Sequence, residues 1–181
     1  MLRLSLIVLA APIAIAGGVV SATPLAQAGQ TGIVPAPAPI HYPVLTGRVV
    51  DDAKLLDPAS EQKLASRAAA LERATGHQFV IVTVPSLQGA SIERFSRGLG
   101  NQRGIGRKRF DDGVLLVVAP DERMVRIEVG DGLTSKLSDE KSQRIIDAVM
   151  LPHFRHGELQ QGIVTGAEAI IAAIEPQGNA K

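Results

Sequence analysis

The sequence predicts an α/β fold, a three-layer α/β/α sandwich on a small mixed β-sheet. Two β-branched apolar runs, Phe79–Val84 and Val114–Ala119, read as strands buried on both faces. Between them Ser91 caps a helix with Ile92, Phe95 and Leu99 on one face, so strand, helix and strand form a right-handed parallel crossover. The second run is followed by Pro120-Asp121-Glu122-Arg123 and an alternating strand, Val125, Ile127, Val129. So short a turn requires an antiparallel hairpin, and the alternation makes its last strand half exposed through Arg126 and Glu128.

The remaining elements follow from caps and periodicity. Arg48-Val49-Val50 is a short strand ending at Asp51-Asp52. Asp57-Pro58 opens a helix with the cap at Asp57 and Pro at its first position. Leu64, Ala68 and Leu71 line its buried face, and Gly76 closes it. Ser138 caps a third helix with two acids in its first turn; Ile145, Ile146, Val149 and Met150 form the buried side, and Pro152 ends it. The last helix runs from about 158 to 174, with Ile163, Ala167, Ile170, Ile171 and Ile174 on one stripe.

The flanks read differently. Residues 1–28 combine Arg3, an apolar run from Leu4 to Val20 and the small-x-small site Ala26-Gln27-Ala28, the pattern of a signal peptide cut after Ala28. The competing reading is an uncleaved N-terminal anchor, and either one places the domain outside the cytoplasmic membrane, in the periplasm or at the membrane's outer face. Residues 29–46 hold Pro35, Pro37, Pro39 and Pro43 and read as a semi-extended linker. The domain is expected over 47–176, with a tail at 177–181.

Composition excludes several classes. The chain is 45% hydrophobic but only 3% aromatic, so Val, Ile, Leu and Ala must build its core. With no Trp, an indole platform for sugars or bases is absent. With no Cys, disulfides, thiolate metal sites and cysteine nucleophiles are excluded. Net charge is +1, too even to call for a polyanion partner, and export places the domain away from nucleic acid.

The residues that point to chemistry are acidic. Asp111-Asp112 precedes the strand at 114–119, and its hairpin partner runs back to Gly130-Asp131-Gly132, so these three acids are neighbours at one sheet edge. Asp139 follows after a short connection and is expected close by. Asp52 joins only if its strand ends at the same edge. Clustered carboxylates repel, and a hard divalent cation, calcium or else magnesium, relieves the repulsion while accepting 6–8 oxygen ligands. The competing reading is that Asp-Asp-Gly and Gly-Asp-Gly are ordinary turns and that Asp139 complements a helix dipole.

Other signals are weaker. Arg155-His156-Gly157 is a fragment of a histidine phosphatase motif without its second Arg. His153 and His156 are spaced i, i+3, but Pro152 and Gly157 argue against a helix there and no third ligand sits at a zinc spacing. His77 and His41 read as surface residues. Arg103, Arg107, Lys108 and Arg109 form a basic run that reads as a solvated loop, with phosphate or anionic lipid as the functional alternative. There is no Gly-x-Ser-x-Gly elbow, P-loop or dinucleotide fingerprint.

Several stretches, taken in order, resemble the TPM domain family: Gly47-Arg-Val-Val-Asp-Asp-Ala, Leu71-Glu72-x-x-Thr75-Gly76, Phe110-Asp111-Asp112-Gly113, Val125 through Leu133, Leu137-Ser138-Asp139 and Pro152-x-Phe154-Arg155-x-Gly157. The likeness covers about residues 47–174. It implies a sandwich with a shallow acidic cleft, calcium binding, and varied duties: a plant thylakoid-lumen acid phosphatase tied to photosystem II repair, an auxiliary subunit of an animal channel, and exported bacterial members. The family's cleft maps to Asp52, Asp111 or Asp112, and Asp139. The chain departs from it at Asp131, where the family carries an aromatic, and at Thr134-Ser135, where it carries Glu-Gly. The resulting expectation is an exported calcium-binding module that assists or maintains a membrane or envelope protein complex, attached to the membrane if the N-terminal segment stays on. The alternative is a metal-dependent acid phosphatase acting on phosphomonoesters, with an Asp as base and Arg107 or Arg109 steadying the phosphate.

Overall fold

The computed structural model describes residues 39–176, so the leader, residues 29–38 of the linker and the tail from 177 lie outside the described residues. Four strands form one sheet in the order β1 (Val49–Asp51), β2 (Gln78–Thr83), β3 (Gly113–Ala119) and β4 (Met124–Val129). β1, β2 and β3 are parallel, and β4 pairs antiparallel with β3, Val114 lying opposite Val129. This is the mixed sheet the sequence predicts. Its lower edge is where β1, β2 and β3 begin and β4 ends; its upper edge is where β1, β2 and β3 end.

Two apolar layers sandwich the sheet. On one face lie α1 (Pro58–Thr75), α5 (Leu159–Ile174) and the helical stretch between Asp139 and Arg155, packed on Phe79, Ile81, Val114, Leu116 and Ile127. On the other lies α2 (Ile92–Arg103), whose Ile92, Phe95 and Leu99 meet Val80, Val82, Leu115 and Val117. The caps match the sequence reading. Asp57 accepts from the Ser60 amide, Ser91 from that of Arg94 and Ser138 from that of Lys141, while Gly76 closes α1 in the left-handed conformation.

Three features differ from expectation. The first is Pro152, which does not end its helix. α3 (Asp139–Arg144) passes into a π-helical segment (Ile145–Met150) and then α4 (Leu151–Arg155), which contains the proline. The Leu151 amide reaches back to the Ile146 carbonyl, five residues away. That wider turn carries the chain past a ring that would otherwise strike the carbonyl four residues before it. His153 is therefore helical, contrary to the sequence reading.

The second concerns β4. Arg126 is only 6% exposed, because α2 covers the face that alternation assigns to solvent. Its guanidinium donates to Glu128 at 2.6 Å, so the polar face of β4 carries a paired charge beneath a helix.

The third is the linker. Ile40, Tyr42 and Leu45 pack against the α2 layer, and the Tyr42 ring meets Phe95 edge-on at 5.3 Å. The Gln88 amide bonds both the N–H and the C=O of His41, at 2.9 and 2.7 Å, and Arg103 donates to the Pro43 carbonyl at 2.8 Å. The Tyr42 hydroxyl lies so close over Gly98 that any Cβ there would overlap it. The segment is a strap running from the upper edge down α2.

Candidate functional site

The lower edge is built by tight backbone contacts. Asp111 has φ +46°, a left-handed conformation that Asp tolerates better than most residues. Its carbonyl accepts from the Gly132 amide at 3.0 Å, and its carboxylate accepts from the Asp131 amide at 3.0 Å. A Cβ on Gly130 would strike the Asp111 carbonyl, and one on Gly132 would strike that of Phe110. The Gly-Asp-Gly loop is thus fitted to the Asp111 loop, and both acids border the same groove. Neither Asp111 nor Asp131 has a cationic partner among the described residues.

Beside them a groove of about 530 Å³ runs between α2 and the ends of β3 and β4. Asp111, Asp131 and Glu128 line it, with Arg97 and Asn101 of α2 opposite. Glu128 already carries its own ion pair with Arg126, and Arg97 approaches it at 3.9 Å.

The other predicted acids are elsewhere. Asp112 turns inward and is 2% exposed. Its carboxylate receives the Arg107 guanidinium, the Arg107 amide at 2.9 Å and the His77 ring at 3.2 Å. Burial pushes its pKa upward, but those hydrogen bonds outweigh burial and hold it at about 2. The expectation of an exposed His77 is therefore corrected: its side chain is 15% exposed and bridges Asp112 to Lys136, whose ammonium lies 3.2 Å from the other ring nitrogen.

Asp52 lies at the upper edge, because β1 is parallel to β3 and Asp51 is level with Thr83. It therefore does not join Asp111. Asp139 stands exposed in the first turn of α3 behind the Ser138 cap. Among the described residues no three His, Asp or Glu side chains come together as a metal group, so the five acids do not form one site. The donor set that remains for a cation is Asp111 and Asp131, two carboxylates that need water and backbone carbonyls to complete a calcium shell. His153 and His156 also stay apart in role: His153 pairs with Glu158 at 2.7 Å and His156 bonds the Pro152 carbonyl at 2.9 Å.

Sequence reasoning missed Asp51. Its two carboxylate oxygens accept from the Leu55 and Leu56 amides at 3.0 and 2.8 Å, and the Thr83 hydroxyl donates to it. It ties the β1–α1 turn to β2, which is a structural duty. No local pattern announced it: the bonds reach four and five residues ahead, beyond the two-residue span of an Asx turn.

Comparison with known proteins agrees with this architecture. The chain is 37% identical to the N-terminal domain of a protein from P. gingivalis, solved by solution NMR, over 71% of this chain and 82% of that one, with a TM-score of 0.67. It also superposes on the N-terminal domain of the cg2496 protein from Corynebacterium glutamicum, with TM-score 0.57 and 13% identity over 78% of this chain and 88% of the other. The BA42 protein of the psychrophile Bizionia argentinensis gives TM-score 0.56 and 18% identity over 66% and 81%. At these identities the last two are similar in fold alone. No curated protein matches the chain. The TPM domain model matches residues 49–173, most of the chain. With the motifs in order and the sandwich in place, the chain belongs to the TPM domain family.

Proposed function

We propose that this chain is an exported TPM module that binds calcium weakly at Asp111 and Asp131 and serves a membrane or envelope protein assembly without catalysing a reaction. One observation carries the reading: the Asp131 amide donates to the Asp111 carboxylate, both residues line one groove, and neither carboxylate has a cationic partner among the described residues. A bound cation relieves their mutual repulsion. With so few charged ligands at an exposed rim, affinity falls in the range of extracellular modules, roughly 10⁻⁴ to 10⁻³ M. The apolar leader supports export, and family membership supports a duty beside membrane proteins.

The phosphatase alternative has less support. Arg107, which would steady a phosphate, is paired with Asp112 and lies over the Phe110 ring at 4.3 Å. Asp112 is acidified rather than tuned toward a neutral-pH base.

The test is a calcium titration followed by amide NMR. Shifts centred on Asp111, Gly130, Asp131 and Gly132, abolished by Asp111→Asn, support the reading. No shift at millimolar calcium sinks it. Calcium-dependent release of phosphate from a phosphomonoester, lost in the same variant, favours the alternative.

A further inference from the structure

We infer that β4 is an edge built to pair with β4 of a second copy of this chain. β4 closes one side of the sheet, and nothing among the described residues bonds to its outer side. Which groups face outward follows from register. The Gly130 amide donates to the Gly113 carbonyl, so Gly113 and Gly130 are a hydrogen-bonded pair. Alternation along the antiparallel ladder then turns Met124, Arg126 and Glu128 toward β3 and leaves the N–H and C=O of Val125, Ile127 and Val129 pointing away.

Such an edge invites another strand, and soluble proteins blunt it with proline, bulges or charges on the rim. β4 has none of these: it contains no proline, and its register with β3 is unbroken from Met124 to Val129. The charged side chains it carries, Arg126 and Glu128, face the α2 layer; inward charge by itself blunts an edge, but these two neutralise each other.

The occupant is specified by the sequence of the strand. Val125-Arg126-Ile127-Glu128-Val129 is symmetric about Ile127, with opposite charges at the mirrored positions. Two copies related by a two-fold axis through Ile127 place Val125 opposite Val129 and Arg126 opposite Glu128, and set the two Ile127 residues against each other. Every outward amide then meets an outward carbonyl. One step further out, exposed Arg123 in the hairpin turn lies opposite exposed Asp131. An isologous contact needs one patch that complements itself, and this strand does so in backbone, apolar and charged groups together. A parallel or shifted pairing would set Arg126 against Arg126 or against an apolar residue.

The experiment is light scattering and sedimentation of the full chain across a concentration series. Mild detergent keeps the apolar leader from associating, and the buffer holds no divalent cation. The expected result is reversible doubling of protein mass. Amide exchange at Val125, Ile127 and Val129 should slow as concentration rises, while that at Arg126 and Glu128 stays constant. Arg123→Glu and Asp131→Arg each create two like-charge contacts across the axis and should weaken the dimer about tenfold. The double variant Arg123→Glu/Asp131→Arg should restore it. Both residues are exposed, so the fold is not at stake. A chain that remains monomeric overturns the inference. So does a dimer indifferent to the two single variants, or protection of the three amides only on adding an unrelated extended peptide.

Discussion

The Asp131 amide donates to the carboxylate of Asp111 at 3.0 Å, joining two acidic residues twenty positions apart. Asp112, the immediate neighbour of Asp111, points the other way into an Arg–His pocket. Adjacent acids therefore have opposite duties, and substitution should separate them. Asp111→Asn keeps a residue that accepts the left-handed backbone, so stability should change by less than about 0.5 kcal/mol while calcium-dependent amide shifts disappear. Asp112→Asn should leave those shifts intact. Chemical denaturation and calcium titration of the two variants decide this.

The Asp112 carboxyl also predicts a pH dependence. Its folded pKa is about 2 against an ordinary 3.8, so it stabilises the fold above the ordinary value. As pH falls below 3.8 the unfolded chain takes up the proton first, and most of the contribution is lost by pH 2. About 2 kcal/mol should be lost across that window. Urea unfolding at pH 5 and at pH 2.5 measures it, and in Asp112→Asn the difference between the two should shrink by that amount.

The buried pair on β4 gives a third prediction. Truncating Arg126 to Ala removes the near partner of Glu128 and leaves it only Arg97 at 3.9 Å, and should cost about 2 kcal/mol. Replacing both together with apolar residues of similar volume should cost much less. Thermal or denaturant unfolding of the single and double variants compares them.

Gly98 carries a fourth. Ala favours a helix interior over Gly by about 1 kcal/mol, but its methyl at this position would overlap the Tyr42 hydroxyl. Gly98→Ala should therefore release the strap. Limited proteolysis should cut near residues 41–45 faster than in the parent chain, with little change in the unfolding midpoint.

Much of this was legible in sequence because local rules determined it. The cap-and-proline pair at Asp57 and Pro58, the glycine stop at Gly76 and the unbroken run at 114–119 each answer to neighbouring residues alone. What escaped was set by distant ones. Pro152 reads as a stop unless the π turn before it is known, and nothing in Ile145–Met150 announces a wider turn. Arg126 reads as solvent-facing unless the position of α2 over the edge strand is known. For the site, topology did bring Asp111 beside Asp131. The direction of β1, unreadable from three residues, put Asp52 at the far edge, and the side chain of Asp112 chose Arg107.

The strap gives the domain a mechanical polarity. It descends along α2 from Gln88 to Arg103, and the chain then reverses to climb β1. Tension applied from the leader side pulls first at the His41 end, then at Tyr42, and reaches the Arg103 bonds last. When the strap is lifted away from α2, the contacts are loaded one after another, in the manner of a zipper. A modest pull in that direction would peel Tyr42 off Gly98 before any force reaches the sheet. Pulled from its N-terminal end, the strap would yield ahead of β1.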